Sequence, residues 1–178
     1  MKSKVSVVCV NWGAKYPADY VLRLYSMIKK HTSYEFNMYC LTDKPNIYSQ
    51  PIIPVELKPG FEGWWNKMQL FSDGTLHFGE YLYFDLDVVI VENIDCLFEF
   101  EGFGITRDFI NPDAGLTGGK EYNSSIMRFK QNQTLWEFFL AHQDEWNKAQ
   151  KQVAWFGDQN VISCYLNKMG YDNPFPDE

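Results

Sequence analysis

The stretch "YLYFDLDVVIVENIDCLF", residues 81–98, decides how this chain is read. Tyr81–Phe84 and Val88–Val91 are apolar, and the charge that interrupts them is Asp85 and Asp87. The apolar run predicts one long strand over 80–91, the most apolar in the chain and therefore central in a sheet. Residues two apart in a strand project from the same face, so both carboxylates would stand side by side. Desolvation and mutual repulsion then demand compensation by a cation, a basic side chain or a proton. The adjoining sequence offers no Arg or Lys. A hard divalent cation such as Mg²⁺ or Mn²⁺ takes one or two carboxylates and completes its shell with water and phosphate oxygens. Open α/β sheets bind ligands at the carboxyl ends of their strands. The spacing and the place together point to metal-bridged phosphate chemistry.

The flanking sequence supplies the sheet. "VSVVCV" (5–10) reads as a buried first strand that runs into a loop at "NWG". In 17–31, Val21, Leu24, Tyr25 and Ile28 repeat at helical spacing, with Pro17 in the first turn and Lys29, Lys30 and His31 in the last. Strands are expected at 36–43, near 51–57, at 103–107 and at 124–129, and helices at 64–72, 134–146 and 158–168. The segment 111–125, rich in Gly, Asn and Asp, reads as a loop. Strand–helix alternation through the first half predicts an α/β fold with a mostly parallel sheet. With no internal repeat, low-complexity tract or linker, residues 1–178 read as one domain.

Composition narrows the function. Hydrophobic residues at 46% and charged residues at 22% are ordinary for a globular chain, so disorder is excluded. Aromatics at 17% favour clefts walled by flat side chains, which suit ring-shaped ligands. The net charge of −7, without a Lys/Arg cluster, argues against nucleic acid as a partner and is compatible with cation binding. Cys9, Cys40, Cys96 and Cys164 are scattered with no CxxC spacing, the pattern of reduced, packed thiols in a cytoplasmic protein. The N-terminal apolar run is too short for a signal peptide, and no segment approaches the ~20 apolar residues of a transmembrane helix. The expectation is a soluble, intracellular protein with no transmembrane segment.

Six segments, in order, resemble the nucleotide-sugar glycosyltransferases of the GT-A fold. These are "VCVNWGAKYPADYV", "YCLTD", "WWNKMQLF", "YFDLDVVIVENIDCLF", "YNSSIMRF" and "GDQNVIS". They are similar to the glycogenin and bacterial galactosyltransferase-like group, and more closely to uncharacterised bacterial and viral glycosyltransferases. The resemblance implies a Rossmann-like three-layer sandwich and transfer of sugar from a nucleoside-diphosphate donor, a UDP- or GDP-sugar, to a glycan, lipid or protein acceptor, with retention favoured. It implies Asp85 and Asp87 as ligands of Mn²⁺ or Mg²⁺, with Leu86 also on the donor. Lys67 would reach the donor sugar or phosphates and Asn123 the sugar. Asp158 would grip sugar hydroxyls, and Gln159 would lie nearest the anomeric face. Val10, Asn11, Thr42 and Asp43 would line the nucleoside site. "TGGK" (117–120) reads as a mobile loop over the site. Trp64 and Trp65 read as core residues rather than a sugar platform. His31, His77 and His142 form no metal spacing.

Two other readings compete. "DLDVV" also resembles the Asp-x-Asp frame of haloacid-dehalogenase-like phosphatases, in which Asp85 would be the nucleophile. That nucleophile usually lies in the first strand, and here earlier strands precede it. The glycosyltransferase pattern usually continues into a further C-terminal segment with a third metal ligand or a basic piece. The sequence ends at Glu178, so a nucleotide-sugar-binding module without turnover is the other alternative.

Overall fold

The computed structural model describes residues 5–77, 79–110, 112–113 and 115–176. Strands β1 (Val5–Asn11), β2 (Phe36–Thr42), β3 (Ile52–Glu56), β4 (Glu80–Phe84), β5 (Gly104–Arg107) and β6 (Tyr122–Lys130) form one sheet. Its order is β3-β2-β1-β4-β6-β5. The pairs β2–β3, β1–β2 and β1–β4 are parallel, and β6 runs antiparallel to both β4 and β5. The helices are α1 (Asp19–His31), α2 (Trp65–Met68), α3 (Asp95–Glu99), α4 (Gln133–Ala141), α5 (Gln143–Gln152) and α6 (Asp158–Lys168).

Strand alternation divides the core in two. Val7 and Cys9 of β1, Met38 and Cys40 of β2, and Leu82 and Phe84 of β4 pack on one face against Val21, Leu24 and Ile28 of α1. Val8, Leu41, Tyr81 and Tyr83 face the other way, against Met68, Leu135, Phe139, Val161 and Ile162. Both faces are therefore covered, as strands this apolar require. The result is the expected three-layer α/β sandwich with a mostly parallel sheet. Cys9 and Cys40 sit opposite one another in register, and all four cysteines are unbridged. Among the described residues, no helix is long and apolar enough to cross a membrane.

Four local expectations are corrected. β4 stops at Phe84 rather than running to residue 91, so Asp85 and Asp87 lie in a turn, closed by the Val88 N–H on the Asp85 carbonyl at 3.3 Å. Beyond that turn Ile90 and Ile94 stay buried beneath α1, while Val89 and Val91 are 73% and 74% exposed. The predicted helix 134–146 breaks at His142 (φ −120°, ψ 17°), which separates α4 from α5. The helix at 64–72 is one α turn followed by a 3₁₀ turn, Gln69–Phe71. The loop within 111–125 ends early, because β6 begins at Tyr122; Asn111 and Ala114 lie outside the described residues.

The edge strand β5 carries a close approach. The Phe175 N–H bonds the Ile105 carbonyl at 2.9 Å, and the Phe175 ring stacks edge-on against Phe100, centroids 4.9 Å apart. A methyl group on Gly104 would come within 2.6 Å of Phe175 Cζ and 3.0 Å of Phe100 Cδ1. Gly104→Ala is expected to cost about 1–3 kcal/mol of unfolding free energy through overpacking, read as a lower urea midpoint with an unchanged m-value.

Candidate functional site

The carboxyl ends of β1 and β4 and the start of β6 open into a cleft of about 470 Å³. Its floor is an ion network. The Lys67 Nζ lies 3.0 Å from Asp85 Oδ1 and 2.8 Å from Asp158 Oδ2, bridging two carboxylates that are 73 positions apart in sequence. It also donates to Ser124 Oγ at 3.2 Å, and Ser124 Oγ donates to Asp158 Oδ2 at 2.7 Å. The Tyr83 hydroxyl donates to Asp85 Oδ1. Each part has a local cause. Tyr83 lies next to the end of β4, two residues before Asp85, so the two side chains share a face. Lys67 sits in the single turn of α2, and Asp158 opens α6 in a helix first turn, where a carboxylate is favoured.

Electrostatics follow from this packing. Burial works against a charged Lys67, but Asp158 and Asp85 outweigh it and hold the ammonium group well above the ordinary lysine range. Burial likewise opposes ionisation of Asp85, yet Lys67 and the Tyr83 hydroxyl bring its pKa below the ordinary 3.8. Burial and the adjacent Asp85 charge push the Tyr83 phenol well up. Part of the compensation for Asp85 is therefore a lysine 18 residues upstream, outside the immediate sequence neighbours. Asp87 needs little compensation: it is exposed on the turn, where the Tyr16 hydroxyl donates to its Oδ2 at 2.7 Å.

The cleft brings together Val10, Lys67, Asp85, Leu86, Asp87, Asn123, Asp158 and Gln159. Asn11, Thr42 and Asp43 lie instead in an adjoining pocket of about 130 Å³, joined to the cleft by Tyr16, which lines both. There the Asn11 amide donates to the Tyr48 hydroxyl at 2.6 Å, and Asp43 receives the Gly13 N–H at 3.1 Å. Asn123 uses its carbonyl oxygen to accept the Ser125 N–H at 2.9 Å, and Gln159 donates to Asp108 at 3.1 Å. Tyr16, Tyr83, Asp108, Ser124 and Trp155 also line the cleft and were not expected. Tyr83 could have been found from its period-2 relation to Asp85, and Ser124 from its place beside Asn123. Tyr16 and Asp108 carry no such signal, since only the tertiary fold brings them in.

Two further expectations change. Trp65 is core, its ring tilted against Phe139 with centroids 5.5 Å apart, but Trp64 is 40% exposed and walls the cleft. The "TGGK" stretch does not cover the site. Lys120 exchanges bonds with the Asn167 side chain (N–H to Oδ1 3.1 Å, Nδ2 to carbonyl 2.7 Å) and pairs with Asp172, which ties the stretch to the end of α6. Phe109 and Ile110 border the cleft instead. Phe109 and Trp155 are 82% and 83% exposed there, a rim of bare aromatic surface.

The donor set fits a hard divalent cation. Asp85 and Asp87 share the cleft, and among the described residues no three His, Cys, Asp or Glu groups assemble into a protein-only cage. Two carboxylates with the remaining positions left to water and phosphate oxygens is the arrangement Mg²⁺ accepts.

Glu121, behind the cleft, is buried, and its Oε2 has no hydrogen-bond partner among the described residues; Oε1 accepts from the Asn160 amide at 2.9 Å. Burial raises its pKa above the ordinary 4.5. The folded state thus holds this proton more tightly than the unfolded state, so its contribution to stability is present below pH 4.5 and is lost as pH rises through the folded pKa. Glu121→Gln removes that titration. Chemical denaturation from pH 4 to pH 8 is expected to show the wild type losing stability relative to the variant as pH rises.

No protein-family model matches the sequence, and no curated protein matches it. Solved structures do. The galactosyltransferase LgtC, in complex with donor and acceptor sugar analogs, superposes with a TM-score of 0.69 at 13% identity, over 90% of this chain and 70% of that one. The glycosyltransferase GlyE of Streptococcus pneumoniae TIGR4 gives 0.63 at 16% identity, over 97% of this chain but only 46% of its own. Mouse xyloside xylosyltransferase 1 gives 0.54 at 14% identity, over 94% and 83%. The six-stranded sandwich and its order of elements are therefore those of the GT-A-type glycosyltransferase fold.

Proposed function

We propose that the protein transfers a glycosyl group from a nucleoside-diphosphate sugar to an acceptor, with Mn²⁺ or Mg²⁺ held by Asp85 and Asp87. The observation that carries this reading is the charge of the cleft. Four carboxylates, Asp85, Asp87, Asp108 and Asp158, line it against two lysines, Lys15 and Lys67. Lys67 is already shared between Asp85 and Asp158. A diphosphate entering such a cleft meets net negative charge and is bound only with a cation beside it. The fold, shared with enzymes that are glycosyltransferases by name, supports the same chemistry by analogy.

When bound, the cation supplies Lewis-acid neutralisation of the leaving diphosphate. The chain supplies the rest. Lys67 and Tyr83 fix the Asp85 carboxylate in its ionised form, ready to act as a ligand. Ser124 and Lys67 orient Asp158, leaving its other oxygen to accept a sugar hydroxyl, and Asn123 and Gln159 border the same space. The pocket of Asn11, Thr42 and Asp43 takes the nucleoside, next to Val10 and Leu86. Retention of configuration belongs to the proposal, with Gln159 beside the anomeric carbon. A phosphatase reading is disfavoured, because three strands precede the one that leads into Asp85, and the fold is shared with solved glycosyltransferases.

The test is donor turnover. UDP- and GDP-hexoses incubated with the protein and Mn²⁺ are expected to release the nucleoside diphosphate, slowly to water and faster with acceptor. Release of inorganic phosphate from small phosphoesters, with no attack on any nucleotide sugar, would refute the proposal.

A further inference from the structure

A third depression, a groove of about 950 Å³, lies between the loop before α2 and the helix α5. It is continuous with the cleft, because Trp12 and Gly63 border both. Gln143, Asn147 and Gln150 line it from α5. Their spacing, i, i+4 and i+7, makes them one stripe on one face of the helix. All three are half-buried. None of the three side-chain amides hydrogen-bonds to protein among the described residues. Elsewhere the fold uses its amides internally: Asn66 bonds the Gly63 carbonyl, Gln69 the Lys58 carbonyl and Asn160 the Glu121 carboxylate. The opposite wall of the groove is aromatic, with Phe61 and Trp12.

We infer that this groove binds a neutral oligosaccharide and that it is the acceptor subsite; the acceptor role, though not the binding, rests on the function proposed above. Each amide offers a donor pair and an acceptor on a planar head, the complement of neighbouring sugar hydroxyls, which both donate and accept. Aromatic faces take the apolar C–H faces of sugar rings. The charged groups at the groove, Glu62 and Lys151, are one of each sign, so no net charge selects an acidic or basic ligand. The volume is at the upper end of the roughly 300–1,000 Å³ typical of small-molecule sites. The shared wall at Trp12 places one end of a bound chain at the mouth of the cleft, where an acceptor hydroxyl must arrive.

The test uses the full chain on an array of immobilised oligosaccharides, followed by titration of the free glycans retained. The double variant Gln143→Ala/Asn147→Ala is the probe of the groove, and UDP and GDP binding with Mn²⁺ is the independent readout. Expected is retention of neutral oligosaccharides, weakened about tenfold or more in the double variant through loss of two hydrogen bonds, with nucleotide binding unchanged. Trp12→Ala is expected to weaken the same glycans. If wild type retains no glycan, or if glycan affinity is the same in the double variant, the inference is overturned. If glycan binding is lost in the variant while wild type binds no nucleotide, the groove stands and the transferase reading fails, so the two failures are distinguishable.

Discussion

Replacing Lys67 by methionine lowers the unfolding free energy by about 3–5 kcal/mol, the range for removing one partner of a buried ion pair. Methionine is an unbranched side chain of similar length, so lost volume contributes little. The cost comes from Asp85 and Asp158. Their side chains are 26% and 6% exposed, and both face the vacated ammonium position. Against a total stability of roughly 5–15 kcal/mol, this is enough to leave the variant marginal at physiological temperature. Adding Asp158→Asn to Lys67→Met is expected to restore part of the loss, since one buried anion then disappears. The pH dependence has a definite sign. Asp85 titrates below its ordinary 3.8 in the folded state, so its contribution is present above that pH and lost as pH falls through the folded value. Lys67 titrates above its ordinary 10.5, so its contribution is present below that pH and lost only as pH rises through the folded value. The gap between wild type and Lys67→Met is therefore widest near neutrality and narrows in acid. Urea denaturation at pH 7 and pH 3.5 checks both statements; an equal gap at the two pH values would contradict the ionic account.

Asp87→Ala has the opposite profile. Asp87 is exposed in the turn after β4, and its described hydrogen bond is the one from Tyr16. Its loss costs stability no more than a typical surface substitution, about 0.5 kcal/mol. Its effect on function is large. Removing one of the two carboxylates proposed to hold the cation is expected to weaken metal-dependent nucleotide binding on the order of 100-fold, since the cation's charge neutralisation is worth several kcal/mol. Lys67→Met and Asp87→Ala thus separate the two jobs within the Asp-x-Asp turn: Asp85 is tied into the protein, and Asp87 is presented to the cleft.

That separation marks what the sequence could and could not convey. Strand and helix order were legible, because apolar period and cap residues are local signals, as in α1 with Pro17 before it and three basic residues in its last turn. The gathering of Lys67, Asp85, Asn123, Asp158 and Gln159 at one cleft was legible only through the order of motifs. The end of β4 was not legible. Val88–Val91 reads as strand by composition, but Ile90 turns inward against α1 and the segment leaves the sheet. The partner of Asp85 was hidden for the same reason that Tyr16 and Asp108 were: bonds across 18 or 71 positions exist only after the sheet has assembled. The division of the residues proposed for the nucleoside was legible in part, since Val10 and Asn11 are neighbours in one strand and point to opposite faces; that Thr42 joins Asn11 depends on the pairing of β1 with β2.

The measurement that bears most directly on the central claim is calorimetric titration of UDP and of GDP, each with and without Mn²⁺, into wild-type protein and into Asp87→Ala. At least one nucleotide is expected to bind, only with the metal present, and to bind on the order of 100-fold more weakly to the variant, which remains folded. Binding of neither nucleotide under any metal condition, or binding that is the same in Asp87→Ala, would contradict that claim.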